Sequence, residues 1–170
     1  MAAKKVEGHI THRLPDDQRV LAAVGEIALR HGQLDNQLRM LVKDLTDVTK
    51  EEALDATARE GSRELRDRIN KLAKRRLGEG APLVRLQALL ARAARATAKR
   101  NELLHGVWGM DLDRDVLMIR DESHAFKRAP SAPQLERLSE TITDVLADMV
   151  QARVNGGFLN DALQKTSKGA

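Results

Sequence analysis

Val20, Val24, Ile27, His31, Leu34, Leu38, Leu41 and Leu45 recur in alternating steps of four and three. That spacing puts one apolar stripe along one face of a single long helix, sustained over almost four heptads. A stripe of that length must be covered by other helices, so it decides the kind of fold before any other feature is considered. The remaining composition agrees. Aromatic residues are 2% of the chain and Tyr is absent, while the apolar share of 42% is carried by Leu, Ala, Val and Ile, the mixture of packed helices rather than of a sandwich. Gly25 and Gly32 lie inside the first helix. Each costs about 1 kcal/mol against Ala, a cost consistent with close approach of another backbone.

Further elements follow from their start and stop signals. Thr49 to Glu52 has the form of a capping box and opens a second helical region. Gly61-Ser62 interrupts it, and Ser62 is placed to cap a helix through Leu65, Ile69, Leu72 and Leu77. Gly78 and Gly80 end that helix, and Pro82 begins a third, which carries Leu83, Leu86, Leu90, Ala93, Thr97 and Leu104. Residues 107–112 and 116–120 flank Asp113-Arg114-Asp115 as a short β-hairpin, and 121–130 reads as a polar loop. Ser131 with Gln134 caps a fourth helix through Leu135, Leu138, Ile142, Val145 and Met149, stopped at Asn155-Gly156-Gly157. The pattern predicts an all-α, antiparallel four-helix bundle with a short β-hairpin between the third and fourth helices. Residues 1–14 read as a flexible lead, 15–155 as the helical domain and 156–170 as a mobile tail.

Charge is unevenly spread. Residues 59–100 hold thirteen Lys and Arg against four Asp and Glu, a net +9 within a chain of net +4, so the remainder is acidic. Such a basic middle suits either a polyanion-facing surface or an ordinary solvated helix face. Arg68, Lys71, Arg75 and Lys99 are the candidates for contact with the phosphates of a polyanion. The chain has no cysteine, which excludes disulfides and thiolate chemistry and suits a cytoplasmic location. No apolar run approaches the ~20 residues of a membrane span, and residues 1–13 lack the apolar core of a signal peptide. No His-x3-His or His-Glu-x-x-His pattern suggests a metal site, and no glycine pattern suggests a phosphate-binding loop or a cofactor.

The candidate chemistry lies at the end of the third helix, in Arg100, Asn101 and His105, followed by Gly106-Val107-Trp108. Asn101 and His105 are four apart and stack on one helix face, where the amide can orient the imidazole. Arg100 is about 140° around the axis from His105, so one helix separates the cation from the base and two facing copies would bring them together. Cleavage of RNA by its own 2′-hydroxyl needs proton transfer at two oxygens and a cation for the charged phosphorane, roles suited to His and Arg. His31 on the stripe reads as a hydrogen-bonded, semi-buried histidine with a site role as the sharper alternative. Trp108 reads as core beneath the hairpin.

The Arg-Asn-x-x-x-His arrangement with its Gly-x-Trp exit resembles the Arg-x4-His signature of HEPN domains. The resemblance implies a metal-independent endoribonuclease whose Arg100, Asn101 and His105 line a cleft between two subunits of a homodimer, with an antitoxin or defence partner. The alternative within the same fold is a non-catalytic RNA-binding or assembly dimer. One departure from the family concerns its toxins paired with a nucleotidyltransferase, which carry a modified Tyr two residues after the His. Here that position is Val107.

Overall fold

The computed structural model describes residues 9–120 and 125–168. Residues 1–8 of the lead, 121–124 of the polar loop and 169–170 of the tail lie outside the described residues. In chain order the elements are β1 (Ile10–His12), α1 (Gln18–Thr46), α2 (Lys50–Ala56), α3 (Ser62–Leu77) and α4 (Ala81–His105). They continue with β2 (Val107–Asp111), β3 (Val116–Arg120), β4 (Phe126–Arg128), α5 (Ala132–Arg153) and α6 (Phe158–Lys168). The architecture is therefore mixed α/β, not an all-α four-helix bundle. A four-stranded antiparallel sheet of order β1-β2-β3-β4 is built at one end of the helices.

The stripe on α1 forms the centre of the core: Val20, Ile27, Leu34, Leu38, Leu41 and Leu45 are all buried. Covering it are Leu65 and Ile69 of α3, Leu86 and Ala93 of α4, and Leu135, Ile142 and Met149 of α5. The helices do not alternate in direction. Arg19 near the start of α1 binds Glu136 near the start of α5, and Arg153 at the end of α5 binds Asp44 near the end of α1. Those two pairs make α1 and α5 parallel. Ser62 begins α3 beside the middle of α1, through a 2.5 Å bond to Asp35, and Arg76 ends it beside Lys43 and Asp47. So α3 is parallel to α1 as well, and α4 alone runs against the other three, with Arg92 on Asp148 and Lys99 opposite Thr141.

The expectation of an antiparallel bundle fails because of α2. This seven-residue helix has the capping box expected at Thr49, which accepts from Glu52 N–H while Glu52 accepts from Thr49 N–H at 2.8 Å. It carries the chain back along α1 before α3 sets off in the original direction. Ser62 proves to be the first residue of α3 rather than its cap. Gly61 holds the cap position, and the Ser62 hydroxyl is spent on Asp35.

The sheet grows from the expected hairpin, in which Val107 pairs Arg120 and Asp111 pairs Val116. β1 adds to one edge, Ile10 opposite Asp111, and β4 to the other, Arg120 opposite Phe126. Both added strands have three residues, too few for an alternating pattern to show in sequence. Gly109 lets β1 come close, since a Cβ there would lie 2.8 Å from the Ile10 side chain and 2.9 Å from the Thr11 carbonyl. Ile119 is fully buried and fastens the sheet to the helices. At the opposite end α6 occupies the stretch read as a tail: Leu159 is fully buried and the Arg85 guanidinium stacks 4.2 Å from the Phe158 ring centroid. No helix among the described residues is long and apolar enough to cross a membrane.

Candidate functional site

Arg100, Asn101 and His105 all lie on the last two turns of α4, but one chain does not bring them into a single site. The Asn101 amide oxygen accepts from Arg100 Nη1 at 2.9 Å, so Asn101 holds the arginine rather than the histidine. Arg100 is half-buried on the side of α4 that faces α1, and its Nε is buried with no hydrogen-bond partner among the described residues. His105 is exposed at the C-terminus of α4. Gly106 ends the helix by bonding the Glu102 carbonyl, and the Trp108 indole N–H donates to the Leu103 carbonyl at 2.9 Å. Trp108, expected in the core, is half-buried and packs against the core's edge, where its indole satisfies a carbonyl of the last turn of α4.

Arg100 is directed toward a polar cluster that the sequence only hinted at. His31 is 2% exposed, with Nδ1 3.5 Å from Asp35 and Nε2 3.2 Å from the Thr97 hydroxyl. Arg66 of α3 donates to that hydroxyl at 3.4 Å, and Ser62 donates to Asp35. Three helices thus meet through buried polar groups. Burial lowers the His31 pKa below its ordinary value; Asp35 opposes the shift, and the guanidiniums of Arg100 and Arg66 reinforce it. The Thr97 hydroxyl spends its one proton on the Ala93 carbonyl at 2.9 Å, so its oxygen is left to accept from His31 Nε2–H and from Arg66. The signal available in sequence was a histidine on an otherwise aliphatic stripe, facing a threonine on the apolar side of another helix. At this burial the cluster ties helices together and sets the electrostatics around Arg100; it presents no open catalytic base.

The four expected RNA contacts divide into two pairs. Lys71 and Arg75 are exposed on α3 and form no ion pair among the described residues, whereas Arg68 is bound to Glu60 and Lys99 lies 3.7 Å from Glu102. Arg63 and Lys74 join Lys71 and Arg75 on the outer side of α3. Glu64 is turned away to cap Gly61 at 2.8 Å, and Asp67 stands among the cations. The described residues hold no cluster of three His, Cys, Asp or Glu with metal-binding geometry. No protein-family model, curated protein or solved structure matches the chain. The sequence-specific part of the HEPN resemblance is confined to residues 99–109.

Proposed function

We propose that this is a cytoplasmic RNA-binding protein whose outer α3 face takes the phosphate backbone. The observation that carries the reading is the set of exposed cations Arg63, Lys71, Lys74 and Arg75, none of them in an ion pair among the described residues. At 1.5 Å per residue they extend over about 18 Å of a rigid helix, a length that spans several phosphates. Cations already paired with a carboxylate would exchange one partner for another; unpaired ones bind phosphate with net release of counterions. Too few aromatic residues are present for base stacking to set a sequence preference. The test is binding of a labelled single-stranded RNA at several salt concentrations by wild type and by a Lys71, Lys74, Arg75 to Gln triple variant. The salt slope should flatten by about 0.7 for each phosphate that no longer meets a cation. A triple variant with the wild-type slope removes α3 as the interface.

A second reading adds cleavage by a homodimer. It is favoured by one surface: Leu21 and Leu29 are exposed on α1, at 37% and 75%, beside Gly25 and Gly32, around which a Cβ would meet nothing within 4 Å. Two copies joined there would bury at least ~1,200 Å², and this reading requires that the pairing set the Arg100 of one copy against the His105 of the other. This reading predicts a dimer by light scattering that Gly32→Arg disrupts. It also predicts RNA cleavage in EDTA that is lost in His105→Ala. A monomer at tens of micromolar, or cleavage that survives the substitution, excludes it.

A further inference from the structure

Two guanidiniums meet at the junction of α1, α3 and α4, and neither forms an ion pair among the described residues. Arg66 is half-buried one turn into α3 and donates to the Thr97 hydroxyl at 3.4 Å. Arg100 is half-buried on α4, three residues past that threonine. Its Nη1 is on the neutral amide of Asn101, and its Nε is buried without a partner among the described residues. Asp35 faces the same junction, but it already accepts from the Ser62 hydroxyl at 2.5 Å and lies 3.5 Å from the His31 ring. Both guanidiniums disfavour a charge on His31, so their fields converge on one place. Burial disfavours the charge on Arg66 as well.

Half-buried cations that converge in this way are costly, because each has lost part of its hydration and each repels the other. The unpaired Nε–H adds the penalty of an unmade hydrogen bond to a charged group. One oxyanion between the two side chains removes all three costs. It accepts from Arg100 Nε, takes a second bond from Arg66 and neutralises the field. A phosphate group suits the place, since its several oxygens accept from two guanidinium forks at once. Asn101 is exposed, so the junction opens to solvent beside Arg100, and Arg63, exposed three residues before Arg66, connects it to the outer α3 face. We propose that Arg66 and Arg100 together hold one phosphate group of a bound RNA at the α1–α3–α4 junction. The site is complete within one copy and needs neither His105 nor a dimer. It rests on the RNA-binding reading and extends it from exposed cations on α3 to a half-buried anchor. An internal phosphodiester and a 5′-terminal phosphate offer the same oxygens, and the two sources are separable by experiment.

Stability and binding together separate an anchor from a structural tie. If Arg66 only fastens α3 to α4 through Thr97, Arg66→Gln lowers the Tm and leaves RNA affinity unchanged. If it is held for phosphate, Arg66→Gln relieves the repulsion, so the Tm of the RNA-free protein is kept or raised. RNA binding then weakens by at least about tenfold, the scale of a charge-assisted hydrogen bond. The experiment measures fluorescence anisotropy of a 3′-labelled oligouridylate, carrying either a 5′-hydroxyl or a 5′-phosphate. It compares wild type, Arg66→Gln, Arg100→Gln and the double variant, with thermal melts of each protein alone. Because one phosphate is shared, the double variant should bind about as weakly as either single variant. Its salt slope should flatten by about 0.7 rather than by twice that. An equal loss with both oligonucleotides supports the site and assigns it to the backbone. A loss confined to the 5′-phosphorylated one supports it and assigns it to the RNA end. Folded single variants that bind both RNAs as wild type does overturn the site, as do additive losses in the double variant or a lower Tm for RNA-free Arg66→Gln. In each of these cases, binding that is still weakened by the α3 triple variant leaves the broader reading intact. Wild-type protein that binds neither RNA at low salt overturns both.

Discussion

The buried histidine makes stability depend on pH in a direction the structure dictates. His31 has three elements around it: Asp35 on its own helix, Ser62 and Arg66 from α3, and Thr97 and Arg100 from α4. Burial and the two guanidiniums lower its pKa in the folded state. The unfolded chain takes up a proton below about pH 6.5 that the folded chain resists, so the stabilisation is complete above that pH and is lost as pH falls. With the side chain 3% exposed, solvent screening subtracts little. If the folded state refuses the proton entirely, the loss is on the order of 1 kcal/mol at pH 5.5. At about 2–4 °C per kcal/mol for a chain of this size, that corresponds to a fall in Tm of a few degrees. Thermal melts from pH 8 to 5.5 should be recorded for wild type and His31→Gln. Every other titrating group is common to both proteins, so the difference between their pH dependences isolates this site. The wild type should lose Tm faster as the pH falls. Parallel curves would refute the account, as would a steeper loss in the variant.

Leu38 is fully buried at the centre of the α1 stripe, and Leu38→Ala should cost about 2–5 kcal/mol in denaturant unfolding. Gly157 sits where any Cβ would overlap the carbonyls of Gln151 and Ala152. Gly157→Ala should destabilise by about 1–3 kcal/mol and loosen α6, read as faster proteolysis of the C-terminal segment. Arg153 donates to Asp44 at 2.5 Å and to Gln37 at 2.7 Å from a largely buried position. Arg153→Met should cost about 1–3 kcal/mol through the lost charged hydrogen bonds, since Lys43 still lies 3.2 Å from Asp44, and Asp44→Asn added to it should recover part of that loss.

The parts of this fold that announce themselves in sequence are those in which a period runs long enough to be counted. The α1 stripe, the capping boxes at Thr49 and Ser131, and the hairpin around Asp113 to Asp115 all stand where the residues put them. What stays hidden is set by distant partners. β1 and β4 are three-residue segments whose strand character comes from hydrogen bonds to β2 and β3, and α6 is held by Leu159 and Phe158 against helices far away in the chain. Direction is hidden as well, because a capping box says where a helix starts and nothing about which way it points. At the site, the 140° separation of Arg100 from His105 followed from helix geometry alone. That Asn101 would bind the arginine did not, since both neighbours were within its reach. The role of His31 was visible only as a polar residue in an apolar series. Its partners lie 66 residues away at Thr97 and four away at Asp35, and the larger separation carries no local pattern.

The parallel course of α1 and α5 has a consequence for how the chain reaches this structure. Arg19 and Glu136, which meet at one end of that pair, are 117 residues apart. Helical proteins usually fold fast because their contacts are local, and this one places a principal helix–helix contact at the far end of the sequence-separation range. Synthesis at about 5–20 residues per second leaves α1 waiting roughly 6–20 s for its partner. Through that interval the face bearing Leu34, Leu38 and Leu41 is covered at best by α3 and α4. The nascent protein therefore passes through a stage with an open apolar seam, and its yield in the cell is governed by what shields that seam until α5 emerges.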